Sequence, residues 1–461
     1  MLQNYLLKSF DWKGELVTSN ADSIKLTTAL PWVSTQGQTG FVVEIGRSLL
    51  VLNVYDEGLD LKGTLEIRVM VGQKQSFTFQ GSAQHIDTKS LLLQVEGKES
   101  EGNLHDLLGQ VRKDQHIEIC NHQDVESSDR FTGFQRVQFI PEAVPELSFS
   151  DLDTKQNFLG RNFDYPILVT GMTGGVDKGT EINRRLALAA QEYNIPMGIG
   201  SQRVALDNAE YASIFDVKKH APDVFVIGNL GFAQLKQDNY LDLCQRAIDM
   251  ISADALAIHV NVLQEAIQME GDRDFSGILE RLHDVCQKTK TPIIVKEVGC
   301  GVSSNTAQRL METGISALDV GGRGGTSWGY IEGLRSSSPE TMALADTYRN
   351  WGIPTAYSLV GVKTATPQLP LIATGGVRDG LTVAKAVALG ADLVGIGLPL
   401  LRAALSSENG AKECLGSFVR GLKVAMIGTG SRNLSDLEQN ICLGHPMEKT
   451  FEDFVNSKSF Y

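Results

Sequence analysis

The chain of 461 residues lacks any apolar run approaching the ~20 residues that span a bilayer, and it lacks an excess of positive charge. Residues 1–5 do not begin the charged segment and apolar run of a signal peptide, so neither a signal peptide nor a membrane anchor is expected. We therefore expect a cytoplasmic location. The 42 lysines and arginines against 55 aspartates and glutamates give a net charge of −13, without the basic footprint of nonspecific nucleic-acid binding. An anionic small molecule stays compatible with this balance, because a few local cations can outweigh a global charge.

Cysteine is scarce as well, and its six copies are scattered along the chain. They are Cys120, Cys244, Cys286, Cys300, Cys414 and Cys442. None forms the close pairs typical of metal sites, so reduced thiols are expected. Apolar residues are abundant, at 42% of the chain, which is enough for a sizeable core. The length of the chain predicts two or three domains.

From about residue 165 onward, a short apolar run, a few small or polar residues and an amphipathic stretch recur eight times. The runs are 165–170, 195–200, 224–228, 255–258, 292–295, 317–320, 371–373 and 393–397. Runs without alternation fit strands buried on both faces, and the helical stretches between them indicate parallel βα units. Eight such units predict an α/β fold, the (β/α)8 TIM barrel. The long connection at about 321–370 predicts an extra loop beside its helix.

Residues 1–108 follow a different pattern. Alternating stretches at 40–45, 48–52, 65–71 and 90–95 are separated by turns and show little helical periodicity. They predict a small all-β, barrel-like domain, with its boundary in the charged, glycine-containing stretch near 96–103. The predicted domains are therefore 1–108, an accessory domain of unknown ligand, and 109–461, the (β/α)8 barrel.

Polar or glycine-rich residues follow nearly every predicted barrel strand. The fourth run ends in His259-Val260-Asn261-Val262-Leu263-Gln264-Glu265, which places four groups able to bind or move protons within seven residues. Each of them alone could be structural: a satisfied core histidine, two structural amides, and a carboxylate favoured at a helix N-terminus. Catalytic groups of this fold lie at C-terminal strand ends, so their joint occurrence predicts the floor of an active site. Glu265 is a hard oxygen ligand of the kind that Mg²⁺ takes.

Glycines follow the seventh and eighth runs, as Gly375-Gly376 and as Gly395 and Gly397. One glycine pair could be a simple turn, but two sets beside helix N-termini favour a phosphate site.

Lys296 ends the fifth run, where an unpaired cation is costly to bury. Its neighbour Glu297 is the simplest candidate partner, yet successive strand residues point to opposite faces. A flavin ring, whose negative charge a cation stabilises, explains Lys296 better.

An ordered set of motifs gives a resemblance to a known family. The motifs are Arg112-Lys113-Asp114-Gln115-His116, Met172-Thr173-Gly174-Gly175, Gly200-Ser201-Gln202-Arg203, His259 to Glu265, Lys296-Glu297-Val298-Gly299 and Gly324-Gly325-Thr326-Ser327-Trp328. Together, over about residues 110–461, the chain resembles the type 2 isopentenyl-diphosphate isomerases. The ordered set is specific, although no single glycine motif would be.

The resemblance implies an FMN enzyme that interconverts isopentenyl and dimethylallyl diphosphate with Mg²⁺, its flavin reduced through NADPH and acting as acid and base at N5. Its diphosphate clamp would consist of Arg112, Lys113, Arg203, His259 and Asn261. Gln264 would bind the substrate by the allylic carbons as the catalytic residue, and Glu265 would be the metal ligand. FMN would be held by Thr170, Gly171, Met172, Thr173, Ser201, Asn229, Lys296, Gly321, Thr326, Gly375, Gly376, Val377, Arg378, Gly397 and Leu398. The family also suggests a homo-oligomer, a tetramer or larger.

The chain departs from the family at two places. Gly321 stands where many relatives carry a small polar residue, so one flavin contact is expected to be missing. The N-terminal β-domain is absent from ordinary members. Its residues 53–59 faintly resemble a motif of PilZ-type barrels, but Arg47 and Arg68 do not form the basic pair that a cyclic dinucleotide requires.

Three other functions compete with this interpretation. An FMN-dependent 2-hydroxyacid oxidase would need a histidine base near the seventh strand, and residues 321–370 contain none. An IMP-dehydrogenase-like barrel would need a cysteine in the loop after the sixth strand, which is also missing. A flavin-bound scaffold or sensor predicts loss of the clamp, whereas Arg112, Lys113, Arg203 and Gln264 are all present.

Overall fold

The computed structural model of the chain describes residues 23–443 except 35–38, 47–48, 55–62, 72–74, 86–89, 96–97, 175–176, 269–270 and 337. The PilZ-like stretch 53–59 and Arg47 therefore lie largely outside the described residues, as do Gly175 and the first residues of the chain. Among the described helices, none is both long and apolar enough to cross a membrane.

The first six strands form a closed antiparallel barrel, in the order β1-β2-β3-β6-β5-β4. They are β1 Ser23–Ser34, β2 Thr39–Gly46, β3 Leu49–Val54, β4 Gly63–Val71, β5 Gln75–His85 and β6 Ser90–Val95. Alternation sets the inside of this barrel, since Ile67, Val69, Phe77 and Phe79 are buried while the residues between them are exposed. The predicted small β-barrel is thus observed. Two of its strands, β1 and β5, were not predicted.

The second barrel is closed and parallel, with eight strands in chain order. They are β10 Ile167–Val169, β11 Met197–Gly198, β12 Val226–Gly231, β13 Ala255–Val260, β14 Ile293–Glu297, β15 Ala317–Asp319, β16 Leu371–Ala373 and β17 Leu393–Ile396. Each strand falls on one of the eight predicted apolar runs, so the predicted (β/α)8 fold is confirmed. Two small antiparallel sheets complete the strands: β7 Val137–Phe139 with β18 Ile441–Leu443, and β8 Gln156–Phe158 with β9 Arg161–Phe163.

Helices surround the parallel barrel and join its strands. They are α1 Lys98–His122, α2 Asp177–Glu192, α3 Arg203–Asp207, α4 Ala212–Phe215, α5 Tyr240–Ile251, α6 Val262–Ile267, α7 Ile278–Lys288, α8 Ser304–Met311, α9 Trp328–Arg335, α10 Pro339–Thr347, α11 Thr355–Ala365, α12 Gly380–Ala388, α13 Leu398–Ser406, α14 Gly410–Gly428 and α15 Asp436–Gln439. The long connection between β15 and β16 carries three of them, α9 to α11. The predicted extra loop is therefore largely helical.

The hairpin of β8 and β9 closes the N-terminal end of the parallel barrel. Its Phe158 and Phe163 pack against inward side chains of the strands, in one buried cluster with Leu168, Ile227, Ala257, Ile294 and Ile372. Side chains therefore fill the barrel at its N-terminal end, opposite the C-terminal strand ends where active sites of this fold lie.

Helix α1 connects the two barrels without a break. Its 25 residues pack against β5 of the small barrel and against α9 and α13 of the large one. The helix runs through the predicted domain boundary between 108 and 109. That boundary, which stays a prediction, therefore falls within a helix, and α1 also includes most of the stretch 96–103 in which the boundary was expected.

Candidate active site

The inward face of the parallel barrel changes from apolar to polar near the C-terminal strand ends. Inward residues recur every second position along a strand, so the apolar layer of Ile227, Ala257, Ile294, Ala317, Ile372 and Leu393 is followed by a second layer. That layer consists of Asn229, His259, Lys296, Asp319, Thr374 and Gly395. The sequence thus builds a polar floor on an apolar base.

Above this floor lies an open cavity of about 1920 Å³, including its solvent-filled mouth. Every predicted site residue lies on its wall. These are Arg112, Lys113, Thr170, Gly171, Met172, Thr173, Ser201, Arg203, Asn229, His259, Asn261, Gln264, Glu265, Lys296, Gly321, Thr326, Gly375, Gly376, Val377, Arg378, Gly397 and Leu398. The structure thus brings the predicted residues together around one space, while the roles given to them stay predictions.

Three cations form a cluster on the side of the cavity reached by α1. Arg112 and Lys113 come from that helix, and Arg203 begins α3. The Lys113 Nζ atom donates to the carbonyl of Ser201 at 3.4 Å and lies 5.6 Å from the centre of the Phe215 ring. Burial, followed by the two arginines, lowers the pKa of Lys113 to about 7, against an opposing effect of Asp207. This cationic cluster (Arg112, Lys113 and Arg203) is suited to a polyanion.

His259 is held as a neutral imidazole. Its Nδ1 atom lies 2.7 Å from Asn229 Oδ1, and because an amide oxygen accepts, the proton is on Nδ1. Burial, then the charges of Lys296, Arg112 and Arg203, lowers the pKa of His259 to about 4. Its Nε2 atom therefore has a lone pair, and it could donate to a phosphate oxygen only after taking up a proton.

The residues after β13 fold into the short helix α6, and their side chains hold one another. Asn261 Nδ2 donates to Gln264 Oε1 at 3.0 Å and to Glu265 Oε1 at 2.9 Å. The other oxygen of Glu265 accepts from the backbone N–H of Asp272 at 3.0 Å. The carboxylate is thereby fixed at the cavity wall in a single orientation.

Gln264 is also fixed by a buried network that the sequence did not reveal. Its Nε2 atom donates to Glu332 Oε1 at 2.7 Å, and His116 Nε2 lies 3.0 Å from the same oxygen. Arg335 forms an ion pair with the other oxygen of Glu332. Although burial opposes it, the charges of Arg335 and His116 hold the pKa of Glu332 well below its usual range. Glu332 and Arg335 lie in α9, beyond the motif that ends at Trp328, and their i,i+3 spacing resembles that of an ordinary surface pair.

Lys296 has a carboxylate partner that was also missed, Asp319. The Nζ atom lies 3.0 Å from Asp319 Oδ2, across the register that pairs the two residues on β14 and β15. The carboxylate of Glu297 points elsewhere and accepts backbone N–H groups, including that of Gly299 at 2.6 Å. Exclusion of the Glu297 carboxylate as partner was therefore right. Inward-facing residues recur at every second position of a strand, so counting two residues on from Ala317 could have identified Asp319 as inward-facing.

The glycine loops permit close backbone packing around the cavity. Gly321 has a φ of +45°, and a Cβ there would lie 2.1 Å from the carbonyl oxygen of Glu297, so no side chain fits at this departure from the family. Gly375 and Gly376, with φ of +115° and +70°, are also in the conformation that favours glycine. Arg378, in the same loop, pairs with Glu126.

Two features at the ends of β10 and β17 leave polar groups available to a ligand. Helix α13 begins at Leu398, and its N-cap residue, Gly397, provides no side-chain cap. By contrast, the N-terminus of α12 is capped by its own Asp379. The buried hydroxyl of Thr170 has no hydrogen-bond partner in the described part of the chain and lies on the cavity wall. An anion at the N-terminus of α13 would satisfy such groups.

A barrel of this topology, with a cation at the end of its fifth strand and an uncapped helix N-terminus after its last, is typical of FMN-binding (β/α)8 proteins. A profile of the FMN-dependent dehydrogenase family matches residues 233–443.

More similar proteins define the family more narrowly. A protein from Nostoc sp. named isopentenyl-diphosphate delta-isomerase is 43% identical over 331 residues, which cover 72% of this chain and 95% of that protein. One of the same name from Pyrococcus abyssi is 44% identical over 337 residues, covering 71% of this chain and 90% of that protein. The chain belongs to the isopentenyl-diphosphate delta-isomerase family, which confirms the resemblance found in its motifs.

Solved structures support the fold alone. A mandelate oxidase in complex with (S)-mandelic acid superposes with a TM-score of 0.51 at 20% identity, over 72% of this chain and 94% of that one. The shared feature is the (β/α)8 barrel.

Proposed function

We propose that this protein interconverts isopentenyl diphosphate and dimethylallyl diphosphate by a 1,3-allylic shift of the double bond. The observation that carries the proposal is one cavity, in a member of this family, whose wall contains both the cationic cluster and the motif from His259 to Glu265. Gln264 can position the uncharged prenyl group by shape, while the cations, His259 and Asn261 anchor its diphosphate.

The residues present fit FMN. Thr170 offers a buried hydroxyl without a partner among the described residues, and the uncapped start of α13 at Leu398 offers a site for the phosphate. Lys296 presents an ammonium on the floor of the cavity. Reduced FMN, when bound there, supplies an acid and base for the proton exchanges of the allylic shift, with no net change of redox state. NADPH as the source of the electrons belongs to the same proposal.

The chain's own contribution is positioning. Glu332 holds the amide of Gln264 in one orientation, so that its side chain faces the cavity from a fixed helix. Asn261 and the backbone of Asp272 fix Glu265 in the same way. Such preorganisation lowers the entropic cost of reaching a reactive arrangement.

Glu265 would bind Mg²⁺ together with the substrate. No group of three metal-binding side chains occurs among the described residues, so the protein there offers a carboxylate and not a complete ligand set. Mg²⁺ is commonly held by one or two carboxylates plus substrate phosphates. The ion would thus bind together with the diphosphate, whose oxygens would complete its set of ligands.

The direct test is anaerobic incubation of the full chain with isopentenyl diphosphate, FMN, NADPH and Mg²⁺, followed by analysis of the products. We expect dimethylallyl diphosphate to form while the flavin stays reduced. No product with a visibly reduced flavin would refute the proposal. Rapid flavin reduction by lactate or glycolate under the same conditions would favour the 2-hydroxyacid oxidase alternative.

The role of Gln264 is tested by Gln264→Ala, with Gln245→Ala as the matched control on the exposed face of α5. We expect Gln264→Ala to lower kcat at least ~100-fold, as for loss of a group that acts in the transition state, and to leave FMN binding unchanged. Full activity in Gln264→Ala would remove that role without affecting the proposed reaction.

The role of Glu265 is tested by Glu265→Gln, with the exposed Glu280→Gln as its control. Loss of the carboxylate should raise the Mg²⁺ concentration needed for half-maximal activity at least ~10-fold. An unchanged Mg²⁺ dependence would assign the metal to the substrate alone. A homo-oligomer of four or more subunits and a cytoplasmic location complete the proposal, and sedimentation and cell fractionation test them.

A further inference from the structure

Asp319 is a buried carboxylate beneath the cavity and not on its wall. It ends β15 with 1% of its surface exposed, in the second inward layer of the barrel. Burying an ionised carboxylate is costly unless it is paired and hydrogen-bonded. A carboxylate kept at this position therefore calls for a reason beyond packing.

Both oxygens of Asp319 are engaged by neighbouring strands. Oδ2 lies 3.0 Å from Lys296 Nζ, while Oδ1 accepts the hydroxyl of Thr374 at 2.6 Å and the backbone N–H of Gly321 at 3.1 Å. The position of Thr374 is itself fixed, because its side chain occupies the space that a Cβ at Gly395 would need. The carboxylate is thus held rigidly from three sides.

This arrangement determines what Lys296 can offer to a ligand. An ammonium has three N–H donors. One is directed to Asp319 Oδ2 and a second to the carbonyl of Glu297 at 3.1 Å. Among the described residues, the third has only the hydroxyl oxygen of Thr374 nearby, at 3.5 Å, and Lys296 lies on the cavity wall. Lys296 therefore presents one donor to the cavity from a pair whose net charge is zero.

We propose that Asp319 is a positioning residue that sets the charge Lys296 presents to the flavin, and thereby the ionisation and reduction potential of bound FMN. The inference rests on the proposed function, because it takes Lys296 to contact the flavin. An unpaired ammonium beside the ring favours the N1 anion of the reduced form and raises the potential. The carboxylate behind it offsets that charge, so the reduced flavin stays neutral to higher pH.

The test is a double-mutant cycle on the full-length holoprotein, with Asp319→Asn, Lys296→Met and both together. The readouts are the two-electron potential of bound FMN and the near-ultraviolet spectrum of its reduced form as a function of pH. We expect Asp319→Asn to increase the ratio of anionic to neutral reduced flavin at least tenfold, which raises the potential by about 30 mV at pH values where the anionic form predominates. In the Lys296→Met background the buried carboxylate has no cationic partner and is too costly to keep ionised, so the same substitution should change the ratio less than about threefold.

A shift of equal size in both backgrounds would overturn the inference and leave Asp319 a structural residue. If Asp319→Asn alone fails to fold, the double variant, which leaves no unpaired charge, is compared with Lys296→Met, and a tenfold difference between those two overturns the inference as well. A wild-type protein that binds no FMN or forms no dimethylallyl diphosphate refutes the proposed function. A wild type that does both, together with an unchanged potential in Asp319→Asn, refutes only this inference.

Discussion

Binding of a diphosphate to the cationic cluster should weaken as the pH rises above 7, because Lys113 is its one member that can lose its charge in this range. Burial, together with Arg112 and Arg203, lowers the pKa of Lys113 to about 7, whereas arginine stays protonated. About half of the Lys113 side chains are therefore charged at pH 7 and about one tenth at pH 8.

The magnitude follows from proton linkage. A bound diphosphate places negative charge beside Lys113 and restores its proton, so binding above pH 7 includes the uptake of a proton. While the lysine stays protonated in the complex, this uptake weakens binding about fiftyfold between pH 7 and pH 9, approaching tenfold for each pH unit. Proton uptake should be about 0.5 per site at pH 7 and about 0.9 at pH 8.

Isothermal titration calorimetry with inorganic pyrophosphate measures both quantities, in buffers that differ in their heat of ionisation. Lys113→Arg is the control, because it keeps the charge at every pH and shares whatever ionisation belongs to the ligand. Relative to the variant, the wild type should lose an additional factor of about fifty in affinity between pH 7 and pH 9, which belongs to Lys113. Identical pH profiles and proton uptake in the wild type and in Lys113→Arg would refute the reasoning.

Three further predictions concern the buried groups around the cavity. Glu332→Gln leaves Arg335 without its carboxylate and should lower the free energy of unfolding by about 3–5 kcal/mol in denaturant titrations; a loss below about 1 kcal/mol would contradict a buried pair. Gly321→Ala places a Cβ 2.1 Å from the carbonyl oxygen of Glu297, so the stability of the protein and its affinity for FMN should both fall. An alanine variant with wild-type FMN affinity would contradict this expectation and show that the backbone at residue 321 can move. In NMR titrations the ring of His259, with a pKa of about 4, should stay neutral from pH 5.5 to 8 without ligand. Added pyrophosphate should raise that pKa if His259 belongs to the clamp, and an unshifted resonance would remove it from the clamp.

Much of the parallel barrel can be predicted from the sequence because its strands are buried on both faces. Each strand is then a continuous apolar run, and the residue at its end is identified by the fold rule that places function there. The strands of the small barrel are harder to predict from the sequence, since only one face of each strand is buried. Strand β1 contains Pro31, which is unusual inside a strand, and β5 alternates only around Phe77 and Phe79, so both escaped prediction.

The partners behind the site residues could not be read from the sequence. Asp319 lies within an apolar run, where it looks like an interruption of a strand, and its function depends on a lysine 23 residues away. Glu332 and Arg335 have the spacing of a common exposed ion pair on a helix, and only tertiary packing buries them. The groups facing a ligand thus follow a local pattern, whereas the groups that hold them depend on contacts between distant segments.

Helix α1 has a consequence for the small N-terminal barrel. About 21 Å of continuous helix separates Lys98, at the barrel end, from Arg112 in the cavity wall. If the helix moves as a rigid body, a tilt of about 5° at Lys98 displaces Arg112 by about 2 Å. This displacement is more than half the length of a hydrogen bond. A ligand of the small barrel that tilted this helix would therefore displace Arg112 and Lys113, two of the three cations in the cluster.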